Sequence, residues 1–429
     1  MRREPERARR KGAGPERRTA TLMTEKQSFK TEAITYLTYA DVNDGRASTL
    51  ENFRGYLARF ARDQTIMFCI YSNSCLFGPD LGWNWFRHDA LVRRYLLPLL
   101  LTTPSRAQPG RIPILHRHLF LFLIKEATVR CPVIGLDPWT ERNDLTTLIL
   151  MANDHLGFPQ AQRIPGENNL ALLATLVVAG ETSRLPAWRH KMVRTALILK
   201  YVLEKDSALL AEFDLFGQFE RAVGLPLNTY ISMIFALATK HLGDQPTPDQ
   251  LPASYSIGRN WFRDTIVPPE QATAFFRDVS ATIDELAVMI GSTPTHLSDF
   301  RAFIAKPLLQ IGDSYYAVDF DFLASKADNG IFWKVVSSLP TKREQDKFIA
   351  FWGKVFEHYA NWLFERFATS AEINRVLIDP RYADDETNQA CDAIIVSGTV
   401  ACFLEYKGSV FKADSKYTGD PSRPLRKGF

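Results

Sequence analysis

Residues 391–408 read CDAIIVSGTVACFLEYKG, and this stretch decides the fold expected for the C-terminal part of the chain. β-Branched and apolar residues fill both sides of Ser397-Gly398-Thr399, a pattern that predicts two strands joined by a tight turn. Both strands are apolar on both faces, as is typical of interior strands that are covered on each side. The sequence therefore predicts a β-hairpin within a covered sheet.

Three charged residues interrupt this apolar hairpin. Asp392 begins the first strand, and Glu405 and Lys407 end the second. Side chains alternate along a strand, so Glu405 and Lys407 share one face and Tyr406 takes the other. If the strands pair across the turn, the two carboxylates lie close together and repel each other unless they share a divalent cation. Oxygen ligands of this kind suit Mg²⁺ or Mn²⁺, beside which a lysine can orient or deprotonate an attacking water.

An aspartate on one strand followed by Glu-x-Lys on the next resembles the PD-(D/E)XK nuclease superfamily, which has the restriction-endonuclease-like fold. The resemblance covers roughly residues 346–416 and includes an upstream helix that brings a glutamate to the same site. Here the apolar residues of 346–367 recur at helical spacing, and Glu357 lies beside the apolar stripe.

The resemblance implies a role for each of these residues. Asp392 and Glu405 would ligate Mg²⁺ or Mn²⁺, Lys407 would orient the water, and Glu357 would support the site. The implied activity is metal-dependent hydrolysis of phosphodiester bonds, with DNA as the favoured substrate and defence against foreign DNA as the setting.

The chain departs from the family pattern in two respects. Cys391 stands where a proline is common, and only 22 residues follow Lys407, where the fold needs a further helix and a fourth strand. Either a second copy or a partner chain completes the sheet, or the chain is a truncated product whose activity depends on completion. The alternative function is a non-catalytic binding or sensor protein with a degenerate nuclease domain, in which the charges are solvated on an edge strand.

The length of 429 residues predicts more than one domain. The expected fold class is α+β multi-domain, a large all-α N-terminal region followed by a small α/β, restriction-endonuclease-like and incomplete domain. The expected divisions are a disordered basic tail (1–30), a helical domain (31–300), a connector made of a β-hairpin and a helix (301–345), and the nuclease-like domain (346–429).

Apolar periodicity predicts the helices of the long N-terminal region. They are expected at 49–60, 88–101, 115–129, 141–155, 168–179, 188–204, 209–223, 229–241 and 268–290, and a further helix at 322–339. Charged residues near these helices are interpreted as solvated. The interpretation covers Asp319 and Asp321 and a basic helix face that carries Lys191 and Arg194, while His116 and His118 are expected to be core or surface residues rather than metal ligands.

Charge and composition limit the function classes. The formal net charge is +4, but residues 1–22 alone carry +5, which leaves −1 for the rest and no global basic field. For this tail three readings stay open: Met23 as the true start, a solvated basic arm, or a transit peptide. Five cysteines without a CxxC pair indicate buried thiols in a reducing cytoplasm, and the apolar runs are too short to span a membrane.

Overall fold

The computed structural model describes residues 36–76, 85–96, 114–156, 188–243, 255–291, 297–367, 375–382 and 385–406. All of these residues belong to one unit, Thr35–Phe429. The helix predicted at 168–179 and the basic tail lie outside the described residues, as does Lys407.

Most described residues are helical, and the helices are numbered here in chain order. They are α1 Tyr39–Val42, α2 Leu50–Leu57, α3 Arg62–Leu76, α4 Trp85–Tyr95, α5 Arg117–Arg130, α6 Arg142–Leu156, α7 Trp188–Leu197 with the π-helical continuation Ile198–Leu203, α8 Ser207–Glu212, α9 Leu215–Val223, α10 Leu227–Gly243, α11 Pro269–Val279, α12 Ile283–Gly291, α13 Arg301–Ala305, α14 Phe320–Lys326, α15 Asn329–Ser338 and α16 Lys342–Phe367. The described parts of the N-terminal region are mostly helical, in agreement with the prediction.

Nine short strands form three sheets within the described ranges. They are β1 Ile257–Gly258, β2 Ser280–Thr282, β3 Leu308–Ile311, β4 Ser314–Ala317, β5 Arg375–Ile378, β6 Arg381–Tyr382, β7 Asp385–Gln389, β8 Ala393–Ser397 and β9 Val400–Leu404. The first sheet has the order β1-β4-β3-β2, in which only β2 and β3 run parallel. The second has the order β5-β8-β9 and is antiparallel, and β6 pairs with β7.

The first sheet lies between two apolar cores. One core is built from α2, α3, α5 and α6 and includes Leu309, and the other is built from α9, α10, α11 and α16 and includes Leu308. Neighbouring residues of a strand face opposite sides, so β3 contributes to both cores at once. The hairpin predicted as a connector thus forms the centre of a sheet, and two strands of that sheet, β1 and β2, lie inside the region expected to be all helical.

Three predicted helices are interrupted in the structure. The 268–290 helix is divided by β2, whose residues pair with β3, and Thr282 and Glu285 then form the capping box that starts α12. The 209–223 helix divides where Asp214 caps α9, and the 322–339 helix divides at Asp328. Long-range strand pairing and local caps outweigh the apolar periodicity in these segments, because periodicity reports only which face is buried.

The charges interpreted as solvated are mostly paired, which corrects the prediction. Asp319 is 4% exposed and accepts two hydrogen bonds from Arg117, while Lys191 bonds Asp321 at 2.7 Å and Arg194 bonds Asp328. These partners are more than a hundred residues apart in the chain, so no local pattern indicates them. His116 is buried and hydrogen-bonded to Asn153, as expected of a core histidine.

Among the described helices, no single one is long and apolar enough to cross a membrane. The bent pair of α9 and α10 passes the same test by length and composition, but its apolar residues, among them Leu215, Phe219 and Ile234, are buried in the second core. Four of the five cysteines are buried and Cys402 is exposed, and all five are free thiols.

Two glycines give a matched test of this packing. A Cβ on Gly135 would lie 2.6 Å from the carbonyl oxygen of Arg59, where the chain bonds back to the start of α3. We expect Gly135→Ala to destabilise the protein by about 1–3 kcal/mol, because the atoms that the new Cβ would clash with are backbone atoms.

Gly55 is the matched control, because it lies inside α2 with open space around it. Gly55→Ala should stabilise the protein by about 1 kcal/mol through helix propensity. Thermal unfolding of both variants checks the pair, and equal effects would contradict the close approach at Gly135.

Candidate functional site: an acidic cluster between a helix and a sheet

Helix α16 supplies one side of the candidate site. Thr341 and Glu344 form a capping box at its start, and Phe348, Phe351 and Val355 bury one face in the second core. The helix predicted at 346–367 is confirmed and begins four residues earlier.

Another face of α16 is polar and meets the second sheet. Glu357, Asn361 and Phe364 are spaced by four and three residues and so share one side of the helix. The ring of Phe364 stacks on that of Tyr406, with centroids 6.0 Å apart and planes 5° apart. Glu357 therefore lies on the side of the helix that faces the end of this sheet.

The strand register brings three acidic residues to one end of the second sheet. Ile378, Ala393 and Leu404 are paired across β5, β8 and β9. Just beyond this row, the N–H of Asp379 donates to the carbonyl of Asp392 at 3.1 Å, and the N–H of Asp392 donates to the carbonyl of Leu404 at 3.0 Å. The backbones of Asp379, Asp392 and Glu405 are thus neighbours at the ends of three adjacent strands. The predicted hairpin is confirmed, with Gly398 at a φ of +57° in its turn.

Two of the carboxylates share one hydrogen-bond donor. The side-chain amide of Gln389 lies 3.0 Å from Oδ1 of Asp379 and 3.4 Å from Oδ1 of Asp392. The other oxygen of Asp392 accepts the backbone N–H of Tyr406. Asp379 has a φ of +48°, a left-handed conformation that is uncommon for a residue other than glycine. The backbone is held in a costly conformation at the point where the two acids meet.

The carboxylates raise the pKa values of their neighbours. The pKa of Glu357 lies above its ordinary value because burial disfavours its charge and because Asp379 and Asp392 repel it. Burial and the same three carboxylates raise the pKa of Tyr406 to about 12. Glu357, Asp379 and Asp392 therefore form one negative region beside the Tyr406 hydroxyl.

Two buried oxygen atoms at this site lack a hydrogen-bond partner among the described residues. They are Oδ1 of Asn361 and the hydroxyl of Tyr406. Buried polar atoms are nearly always hydrogen-bonded, so an orphaned pair beside several carboxylates fits a place for a hard cation or its water ligands. In the described ranges no group of three or more His, Cys, Asp and Glu side chains is close enough to hold a metal ion.

The structure brings together only part of the predicted site. Glu357 lies near enough to Asp392 for the charge of Asp392 to raise its pKa. Glu405 follows β9 at the correct end of the sheet, but its side chain is exposed and Tyr406 is the neighbour that faces α16. Lys407 lies outside the described residues.

One expectation for this sheet is wrong, and one residue of the site was missed. Val400 and Phe403 of β9 are 65% and 66% exposed, so the described residues do not cover both faces of β9 as the sequence predicted. Asp379 joins the site although the sequence was not interpreted that way. The signal for it was an Asp-Pro pair directly after the apolar strand residues 376–378, which places a carboxylate at a strand end.

The repulsion at Glu357 gives a pH-dependent prediction. Glu357→Gln should raise the melting temperature near neutral pH, because it removes a half-buried charge that Asp379 and Asp392 repel. The pKa of Glu357 is higher in the folded than in the unfolded protein. Its charge therefore destabilises the fold at a pH above the folded-state pKa, and it has no effect at a pH below the ordinary pKa of glutamate, where the carboxyl is neutral in both states. The gain should therefore shrink as the pH falls between these two values.

Glu365→Gln is the matched control for this prediction, since Glu365 is exposed on the same helix. Thermal unfolding of both variants across this pH range makes the comparison. Equal behaviour of the two variants at every pH would show that Asp379 and Asp392 do not act on Glu357.

Comparison of the chain with family models, with curated proteins and with solved structures found no match. The functional assignment therefore depends on the residues of the acidic cluster and on the resemblance in sequence.

Proposed function

We propose that the protein is a metal-dependent nuclease that hydrolyses phosphodiester bonds, with DNA as its substrate, and that the end of the second sheet is its active site. The single observation that carries the proposal is the repulsion of Glu357 by Asp379 and Asp392, on the side of α16 where two buried oxygen atoms have no hydrogen-bond partner among the described residues. An arrangement of like charges costs stability, and a bound divalent cation would offset that cost.

The order of elements also supports the proposal. Helix α16 carries Glu357, Asp392 comes at the start of β8, and Glu405 follows β9. This is the order that the resemblance to PD-(D/E)XK nucleases implies, with β5 and the β6–β7 hairpin inserted after the helix. In this reading the region from α16 onward is the nuclease-like domain, although α16 also packs into the second helical core.

Each residue has a role in the proposed reaction. Asp392 and Glu405 would hold Mg²⁺ or Mn²⁺, which when bound supplies Lewis-acid activation of the phosphate and a more acidic water. Lys407 would orient the attacking water. Glu357, whose pKa is raised, would hydrogen-bond to a water on the α16 side of the site.

A second candidate function is a non-catalytic binding or sensor protein that retains the nuclease-like elements. One observation favours it: the Asp392 carboxylate is already engaged by the Tyr406 N–H and by Gln389. In this reading Asp392 caps the strand ends, and the charges have a structural role alone.

Cleavage assays separate the two functions. The nuclease should nick supercoiled plasmid DNA in the presence of Mg²⁺ or Mn²⁺ and stop when EDTA is added, and Asp392→Asn should abolish nicking. Asp264→Asn, a change at an exposed acid outside the site, serves as the control and should leave nicking unchanged. Cleavage that survives chelation would exclude the metal-dependent mechanism, and folded protein that neither cleaves DNA nor binds Mn²⁺ would favour the binding protein.

A further inference from the structure

A second candidate site is a cavity of about 930 Å³ that borders the first sheet. Its lining comes from the 259–263 segment, α11, the start of α12, Lys306 and the β3–β4 strands. Phe276 and Tyr315 form one wall, where their rings stack with centroids 4.2 Å apart and planes 7° apart. A volume of this size falls in the range of sites for small organic ligands and greatly exceeds that of a single inorganic ion.

The lining of this cavity is strongly basic. Four cationic side chains, those of Arg259, Arg263, Arg277 and Lys306, contribute to it, against the single carboxylate of Glu285. The formal charge is therefore +3, in a chain whose residues after the N-terminal tail sum to −1. Glu285 is itself engaged, since it accepts hydrogen bonds from the N–H and hydroxyl of Thr282.

The three guanidinium groups form no ion pair with any acid in the part of the chain that the structure describes. All three arginines are exposed, so their donors are accessible to a ligand from solvent. A guanidinium group is planar and can donate two parallel hydrogen bonds to two oxygen atoms of one phosphate. Three such groups around one cavity leave several donors available to an anion.

Lys306 lies half-buried at the cavity and forms no ion pair with a carboxylate of the described residues. Its ammonium donates to the carbonyl oxygens of Arg277 at 2.6 Å and Asp278 at 3.0 Å. The nearby Asp278 carboxylate is already taken by Lys326, Lys334 and the Tyr230 hydroxyl.

The pKa of Lys306 is lowered by burial, and the positive charges of Lys334 and Arg277 act in the same direction against the attraction of Asp278 and Glu285. A ligand anion in the cavity would supply the missing counter-charge.

We propose that this cavity binds a small phosphate-bearing ligand of nucleotide size. Its phosphates would contact Arg259, Arg277 and Lys306, and its remainder would lie against the wall formed by Phe276 and Tyr315. The acidic cluster on α16 takes no part in this site, so the inference stands independently of the proposed nuclease function.

Isothermal titration tests the inference, with ATP, AMP and inorganic pyrophosphate as probes. All titrations contain EDTA, so that no metal at the acidic cluster can contribute to phosphate binding. We expect ATP to bind, and to bind more weakly as the salt concentration rises. The double variant Arg259→Gln/Arg277→Gln should weaken binding about tenfold or more, because each lost charge-assisted hydrogen bond is worth more than a neutral one. Both arginines are exposed, and an unchanged melting temperature would verify that the variant is folded.

Arg343→Gln is the matched control, since it removes the same charge from an exposed position on α16 outside the cavity. Its affinity for ATP should equal that of the unchanged protein. Binding of pyrophosphate with the affinity of ATP would assign the site to the phosphates alone, and tighter binding of ATP or AMP would assign a nucleoside part as well. The inference is overturned if no probe binds or if the double variant binds like the control.

Discussion

Arg117→Met should destabilise the protein by about 3–5 kcal/mol, because the change leaves a buried carboxylate without its counter-charge. Arg117 and Asp319 are 2% and 4% exposed, and two hydrogen bonds of 2.7 and 2.6 Å join them. The same carboxylate caps α14 by accepting the N–H groups of Asp321 and Phe322. The pair therefore joins α5 of the first core to the helix that follows the central hairpin.

Two variants sharpen this prediction. Arg130→Met changes the same helix at a side chain that is 36% exposed and paired with Glu126, and it should cost less than about 1 kcal/mol. The double variant Arg117→Met/Asp319→Asn should recover part of the loss, since no unpaired charge then stays buried. Equal losses for Arg117→Met and Arg130→Met in denaturant unfolding would contradict the account of the buried pair.

The pair also gives stability a pH dependence. Burial alone would raise the pKa of Asp319. The positive charge of Arg117 and the hydrogen bonds donated by Arg117, Asn73 and the Phe322 backbone instead hold this pKa below its usual range. A pKa that is depressed in the folded state gives stability that is present above the ordinary value for aspartate and is lost as the pH falls through the folded value. The wild type should lose this contribution on acidification, whereas Asp319→Asn has none to lose.

The second large effect concerns catalysis, and it separates Glu405 from Lys407. In the proposed nuclease Glu405 is a ligand, so Glu405→Gln should weaken Mn²⁺ binding and abolish cleavage. Lys407 is not a ligand, and Lys407→Ala should lower cleavage about 10²-fold or more while metal binding persists or tightens, because a neighbouring cation is removed. Isothermal titration with Mn²⁺ and a plasmid-nicking assay measure the two effects.

Lys347→Ala, at an exposed position on α16, is the control for Lys407→Ala and should change neither property. If the charges near the end of β9 are only solvated, neither Glu405→Gln nor Lys407→Ala should differ from this control. Retained cleavage in both variants would remove the two residues from the mechanism.

The sequence predicts the elements whose signals are local. The hairpin at 393–404 follows from β-branched residues around Ser397-Gly398-Thr399, and most of α16 follows from its apolar stripe, although its start at the Thr341–Glu344 capping box was not predicted. The prediction that Glu357 and Asp392 meet depends on the family resemblance, and the register of β5, β8 and β9 is consistent with it.

What the sequence does not predict are the contacts between distant segments. Nothing local to Asp319 indicates that Arg117, 202 residues earlier, neutralises it. The division of the 268–290 helix likewise depends on β3, which pairs with residues 280–282 only in the folded chain. Asp379 reaches the acidic cluster because β5 pairs with β8. Its role therefore depends on the register between two strands, which the apolar periodicity of one segment does not predict.

The central claim is that the end of the β5-β8-β9 sheet is a divalent metal site, and a crystal soaked in MnCl₂ tests it most directly. We expect an anomalous difference peak within roughly 2.5 Å of carboxylate oxygens of Asp392 and Glu405 at this end of the sheet. The peak should be absent from crystals of Asp392→Asn. A map without a peak at this place, or one whose Mn²⁺ lies elsewhere on the protein, would contradict the claim.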